Sequence, residues 1–386
     1  MPELTETKAG QQRIAFLYLN TGGGHIAPAR ALATAIQEKW SDTDKTEIVN
    51  GFSDKMKVCR FFFEEGYATT CNYFELGYVF FYQVTSSPLS IRIGDYFVAL
   101  NGVQHLVDTF KKHRITKVVC LHEVLILVAR KALDRINPSI PLITVVTDPF
   151  TAHAVWFYEK RMELVVFSMK LRKQVIEQYG YRPEQVHTFP FILSRKFDRV
   201  WTPEDKVAIR KRLNIPADSP VILIAGGGEG LKSADRIVAE FLGRRSPATL
   251  IVVCGRNKLL RRLVKIQIEL YRASNVRVLG FIDFMNELVN LADCVITKAG
   301  ASTTMEILSM GKPIIFSTFI RGQELGNMLY VVHNGAGWYI KEPRKIMDQA
   351  DRLIHDPDLQ AQMAANIRRL GVRNGLDDLA RFIHEF

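Results

Sequence analysis

RIAFLYLNTGGGHIAPARALATAIQEKW (Arg13–Trp40) decides the architecture. An apolar run enters a polar, glycine-rich loop, Asn20-Thr21-Gly22-Gly23-Gly24-His25, and a helical period follows at once. Ile26, Ala29, Ala33, Ile36 and Trp40 fall on one stripe, with Pro28 expected in the first turn. VILIAGGGEG, from Val221, opens the second half in the same way. Working outward, apolar runs alternate with amphipathic segments. EIVNGF, KVVCLH, PLITVVT, LVVFS and HTFPFI fill the first half; TLIVVCG, VRVLGF, CVITKAG, PIIFST and GWYI fill the second. Most are continuous rather than alternating, as parallel strands covered on both faces require. Two such series predict an α/β chain of two doubly wound, Rossmann-like domains.

The expected bounds are 1–200 and 201–370, with 371–386 a closing helix that returns to the first domain. Residues 54–105 break the pattern: rich in Phe and Tyr and without a clear strand, they read as a helical insertion. At 386 residues, 47% hydrophobic, the chain is long enough for two cores. No apolar run reaches the ~18 residues of a membrane span. The polar first dozen residues lack a signal-peptide core, so cytoplasmic residence is expected. The five cysteines, Cys59, Cys71, Cys120, Cys254 and Cys294, are scattered without metal-site or disulfide spacing and read as small hydrophobes. The net charge of +11 favours anionic partners, lipid headgroups or phosphorylated ligands among them. Any single basic cluster, such as Arg256–Lys258–Arg261–Arg262–Lys265, reads first as a solvated helix face. No helix-turn-helix, RNP or zinc pattern supports nucleic acid.

The first glycine loop is neither G-x-G-x-x-G nor a P-loop. Its His25 stands where ligands gather in open α/β sheets, placed either as a general base or as a group that bonds the loop. Gly226–Gly230 offers backbone N–H groups to an anion, or is simply a tight turn. The richest segment is ITKAGASTTMEILSMGKPIIFSTFIRGQELGNMLYVVHNGAG, Ile296–Gly337. Small residues at Lys298-Ala299-Gly300, before a helix start near Ser302 and Thr303, suit a diphosphate. A carboxylate a turn further in, Glu306, suits ribose hydroxyls. Thr303-x-x-Glu306 also spells a capping box, and taken alone that reading is the simpler. The Asp-x-Asp pairs, Asp42–Asp44 and Asp356–Asp358, fall in polar turns, so no metal is expected.

This cassette resembles the donor domain of the glycosyltransferases that include the monogalactosyldiacylglycerol synthases and the processive diacylglycerol glucosyltransferases. The likeness spans nearly the whole chain. Asn20–His25 is similar to the family's T-G-G-G-H loop. Thr147-Asp148, with Thr151, His153 and Trp156, is similar to its T-D-x-x-T-x-H-x-x-W segment. Gly226–Gly230, Cys254–Asn257, Gly280-Phe281, and Thr297–Glu306 through Gly322–Asn327 follow in order. The chain departs from the family at Gly300-Ala301-Ser302, where a Gly-Pro-Gly-like turn is usual, and at Leu329, which replaces a proline.

The resemblance implies the GT-B fold, two facing Rossmann-like domains with a cleft between them. It implies inverting transfer of galactose or glucose from a UDP-sugar to diacylglycerol, with no cofactor and no metal. His25 would take the acceptor proton and Asp148 would orient the imidazole. Gly24, Gly227, Gly228, Glu229, Arg256, Lys298, Ala299, Gly300, Ser302 and Thr303 would line the donor diphosphate, and Glu306 the ribose. Gly322, Gln323, Glu324 and Asn327 would contact the hexose or phosphate. Gly23, Phe61, Phe62, Tyr78, Phe81, His153 and Trp156 are the expected acceptor or membrane contacts, with anionic lipid and a peripheral position on the inner membrane face. A polyprenyl-diphosphate acceptor, and a UDP-sugar epimerase of the same fold, are the alternatives.

Overall fold

All twelve expected strands form in a computed structural model of the chain, which describes residues 11–20, 23–54, 56–61, 88–244 and 246–386. The first sheet holds β1 (Gln12–Tyr18), β2 (Asp44–Asn50), β3 (Lys117–Cys120), β4 (Leu142–Val145), β5 (Glu163–Val166) and β6 (Val186–Thr188), in the order β2-β1-β3-β4-β5-β6. The second holds β7 (Val221–Ala225), β8 (Thr249–Val253), β9 (Val276–Leu279), β10 (Cys294–Lys298), β11 (Ile314–Thr318) and β12 (Gly337–Tyr339), in the order β12-β11-β10-β7-β8-β9. Every pairing is parallel. The inner strands are buried along their length, which is why they read as unbroken apolar runs.

Strand order reverses between β1 and β3 in one sheet and between β7 and β10 in the other. Loops leaving two such neighbours turn to opposite faces and leave a crevice at the carboxyl end. Each sheet therefore has one natural ligand position, fixed by topology.

The chain divides into two compact units. One runs through Ile192 and includes Arg321–Gln323 and Gly375–Phe386; the other comprises Leu193–Ile320 and Glu324–Asn374. Phe16, Phe110, Trp156 and Phe157 are fully buried in the first. Phe241 and Phe316 are the corresponding rings of the second. The closing helix, Leu376–Glu385, packs on Gly23–Trp40. Lys117 Nζ donates to the Ile383 carbonyl, the His384 ring bonds the buried Asp44 carboxylate at 2.8 Å, and Trp40 stacks on His384.

Three local features depart from the sequence reading. The first helix begins at Gly23, so Pro28 lies in its second turn, where it leaves one carbonyl without its helical donor. The helix after Gly226–Gly230 does not follow at once but starts at Ala234, behind the turn residues Leu231–Ser233. The aromatic insertion is described only in part. Its helix Pro88–His113 buries Val98, Val103, Leu106 and Phe110 and exposes Tyr96, Phe97 and Leu100. Phe61 is exposed, whereas Phe62, Tyr78 and Phe81 lie outside the described residues, as do Thr21 and Gly22.

No helix among the described residues is long and apolar enough to cross a membrane. Cys120, Cys254 and Cys294 are buried, and burial raises each thiol, Cys120 to about 12 and Cys254 to about 11. Thiols held this far from ionisation are poor nucleophiles.

Candidate active site

The reversal in the first sheet sets the loop after β1 beside the loop after β3, and two histidines meet there. His25 lies in the first turn of Gly23–Trp40, and His122 follows β3. Their ring centroids are 4.4 Å apart. His25 Nδ1 lies 2.7 Å from the Leu121 carbonyl oxygen and 3.2 Å from Thr147 Oγ1. A carbonyl only accepts, so Nδ1 carries the ring proton and Nε2 keeps the free electron pair. His122 has the opposite tautomer: its Nδ1 accepts from the Val124 N–H at 3.3 Å, which leaves the proton on Nε2.

Burial, with the His122 ring beside it, lowers the His25 pKa from 6.5 to about 4; Glu123 and the Leu121 carbonyl oppose the shift. Burial alone lowers His122 to about 3. Both rings are therefore neutral near pH 7. Glu123 closes the cluster, with Oε2 3.7 Å from His122 Nδ1, buried and without a hydrogen-bond partner. One ligand atom from each of His25, His122 and Glu123 lies within 4.8 Å of the others, a two-histidine, one-carboxylate set of the kind that suits zinc.

The structure re-sorts the remaining residues expected in this unit. Asp148 was expected to orient His25; Leu121 and Thr147 take the Nδ1 of that ring, and Asp148 is buried three residues beyond β4. Trp156, expected among the acceptor and membrane contacts, is fully buried and offers no surface to lipid. Its ring stacks toward His25, with centroids 6.5 Å apart, and its indole N–H has no partner. His153 caps the turn Ala154–Phe157, accepting from the Val155 N–H at 3.2 Å. Gly24 is exposed, next to His25.

In the second unit the reversal brings the loops after β7 and β10 together. Gly227, Gly228 and Glu229 are exposed on the first of these. Its glycines are required by close approach: a Cβ on Gly226 would stand 2.4 Å from the Gly230 backbone, and one on Gly255 2.2 Å from the Gly228 oxygen. The Arg256 N–H also donates to that oxygen at 2.7 Å, locking the two turns together. The Arg256 side chain lies over the Phe281 ring at 4.6 Å and reaches Glu229 at 3.9 Å.

After β10, Gly300 caps the helix Ala301–Ser309 without any side-chain cap. The capping box is thus not formed. Thr303 lies inside the first turn, and Glu306, a turn further along, has no hydrogen-bond partner for its carboxylate among the described residues. Burial raises the Glu306 pKa to about 7. The N–H groups of Ala301, Ser302 and Thr303 are the unpaired donors of a helix start.

Behind them, the buried Glu324 bonds Lys298 Nζ through one oxygen and accepts from the Ile320 N–H at 2.8 Å through the other. Asn327 Nδ2 donates to the Ala299 carbonyl at 2.8 Å, while its buried Oδ1 has no partner. Glu324 and Asn327 therefore hold the loops in place. Gly322 adopts φ +92°, and Gly322 and Gln323 group with the first unit.

The chemistry available is a neutral imidazole base in one unit and an anion-binding helix start with an unpartnered carboxylate in the other. Leu121, His122 and Glu123 were missed from sequence, and Thr147 was noted only as part of a motif, without its contact to His25. The strand-end position of His122, matching that of His25, was the available signal.

Comparison with known proteins agrees with this geometry. Residues 25–190 match the monogalactosyldiacylglycerol (MGDG) synthase model, and residues 221–379 match the glycosyltransferase family 28 C-terminal domain. A probable monogalactosyldiacylglycerol synthase 2 of Oryza sativa subsp. japonica is 29% identical over 390 residues, spanning 98% of this chain and 81% of that protein. Monogalactosyldiacylglycerol synthase 2 of Arabidopsis thaliana is 27% identical over 390 residues, spanning 97% and 81%. Among solved structures, MurG of Acinetobacter baumannii superposes with a TM-score of 0.64 at 15% identity, over 97% of this chain and all of that one, and shares its fold. The chain thus carries a monogalactosyldiacylglycerol synthase domain followed by a glycosyltransferase family 28 C-terminal domain, in order along two parallel-sheet α/β units.

Proposed function

We propose that this glycosyltransferase moves galactose or glucose from a UDP-sugar to diacylglycerol with inversion, at a membrane surface on its cytoplasmic side. The observation that carries the reading is the Nδ1 contact of His25 with Leu121, which leaves Nε2 as an open base at the sheet's ligand position. Nε2 takes the proton of the acceptor hydroxyl. The oxygen attacks the anomeric carbon from the face opposite the nucleotide, and UDP leaves. Base help of this kind contributes about 10²–10⁴-fold. Glu123, the carboxylate whose charge favours the protonated ring, steadies the charge that the imidazole acquires.

On the donor side, the N–H groups of Ala301–Thr303 and the Arg256 guanidinium receive the diphosphate, and the Glu306 carboxylate receives the ribose hydroxyls. No step is assigned to a metal. The names of the plant relatives favour diacylglycerol as acceptor and a glycolipid as product.

The test is incubation with UDP-galactose or UDP-glucose and vesicles with or without diacylglycerol, followed by analysis of the lipid extract. A diacylglycerol-dependent glycolipid from one donor is expected. No glycolipid from either would sink the reading.

A further inference from the structure

The helix Lys258–Tyr271 carries an apolar stripe that the fold does not use. Leu260 and Val264 are buried in the second core, with Ile268 packed against it, and these fasten the helix to its unit. Leu259, Leu263, Ile266 and Leu270 are 68%, 42%, 51% and 76% exposed. Their spacing of four, three and four residues returns each to the same side of a helix, so they form one continuous row facing solvent. One position earlier in each turn runs a second row, Lys258, Arg262, Lys265 and Glu269, all exposed. Arg261 and the terminal Arg272 are exposed as well, so Glu269 is the one acid among six charged side chains here.

Four large apolar side chains in water at this density mark a docking face. The charge decides the occupant. Pairing with a second copy would set these cations against their own duplicates. A nucleic acid would satisfy the cations but leave the leucine row in water. An anionic bilayer satisfies both, because apolar side chains enter the acyl boundary while the neighbouring cations meet headgroups. The whole chain's net charge of +11 has the same sign of preference.

We infer that Lys258–Tyr271 is an interfacial helix that docks the second unit on an anionic lipid surface. The contact goes beyond the proposed reaction and needs neither donor nor acceptor. It is separate from the aromatic helix of the first unit, since it is built on the other sheet.

The test uses the full chain with vesicles of phosphatidylcholine alone or mixed with phosphatidylglycerol, without diacylglycerol or nucleotide sugar. Two double variants are compared with the parent, Leu259→Asn with Leu270→Asn, and Arg262→Gln with Lys265→Gln. All four sites are exposed, so thermal unfolding is expected to stay unchanged. Each pair should weaken co-sedimentation with the anionic vesicles by about tenfold or more, at roughly 1 kcal/mol for each cation near the surface. Any binding through the first unit persists in both variants, so the difference from the parent reports this helix.

Unchanged binding in both pairs overturns the inference. So does loss with the charge pair alone, which would mean simple electrostatic adhesion. A parent dimer that dissociates on Leu259→Asn/Leu270→Asn, with vesicle binding intact, overturns it in favour of a second copy.

Discussion

The imidazole of His25 and the main-chain carbonyl of Leu121 are joined at 2.7 Å, so the tautomer of the base is written into the backbone after β3. Replacing a side-chain partner would disturb this contact less than replacing the ring. His25→Ala is expected to lower kcat by about 10²–10⁴-fold with little change in donor KM. Thr147→Val, which removes the longer of the two bonds, should cost far less. Steady-state transfer assays with both variants check the order.

The neutral histidine pair makes stability depend on acid. Each folded pKa lies below the unfolded 6.5, at about 4 for His25 and about 3 for His122, so protons favour the unfolded chain. The contribution is fully present above pH 6.5 and is lost as pH falls toward 4. At pH 5 the loss is about 2–4 kcal/mol for the pair. His122→Asn keeps an acceptor for the Val124 N–H and should lessen the acid sensitivity. Thermal unfolding at pH 7.5 and pH 5 measures it. The same shifts predict no inflection near 6.5 from His25 in kcat/KM of the free enzyme.

Glu306 has the opposite shift. Its carboxyl, raised to about 7, is penalised in the folded chain as it ionises, so the penalty grows as pH rises from 4.5 and is complete above 7. Glu306→Gln should raise Tm at pH 8 by an amount worth about 1–3 kcal/mol and leave it unchanged at pH 4. Donor KM should rise in the variant and lose its dependence on pH between 6 and 8. An unaltered KM would remove Glu306 from the donor site.

Lys298 and Glu324 form a pair in which the carboxylate is 5% exposed. Lys298→Met leaves that charge with the Ile320 N–H alone and should cost about 2–4 kcal/mol. Adding Glu324→Gln should recover part of the loss. A double-mutant cycle in denaturant separates the terms.

Divalent ions test the charge accounting. The diphosphate is assigned N–H donors and Arg256, so dialysis against EDTA is expected to leave transfer unchanged. Loss of activity, restored by zinc, would point to His25, His122 and Glu123, whose ligand atoms lie within 4.8 Å.

The twelve strands were legible because burial on both faces writes each as an apolar run, and the Gly226–Gly230 loop because close approach admits no Cβ at Gly226 or Gly230. The meeting of His25 with His122 was not legible, because it depends on β1 pairing with β3, which no local pattern encodes. Thr303 and Glu306 misled in a specific way. Their spacing fits a capping box, but the helix begins at Ala301, two residues before Thr303, so Gly300 takes the cap. Trp156 misled through its amphipathic character, since an aromatic ring beside motif residues reads equally as surface or as core.

The closing helix has a consequence for biosynthesis. Asp44 and Lys117 are buried, and their partners His384 and the Ile383 carbonyl are made after the whole second unit. While the ribosome passes from Ile192 to Glu385, at about 5–20 residues per second, the first sheet waits roughly 10–40 s with Asp44 and Lys117 lacking these two hydrogen bonds. The second unit, whose segments all precede Gly375, can finish before the first. Order of synthesis and order of completion are therefore reversed, and the unit that carries His25 gains its contacts with the closing helix only once the second unit has been made.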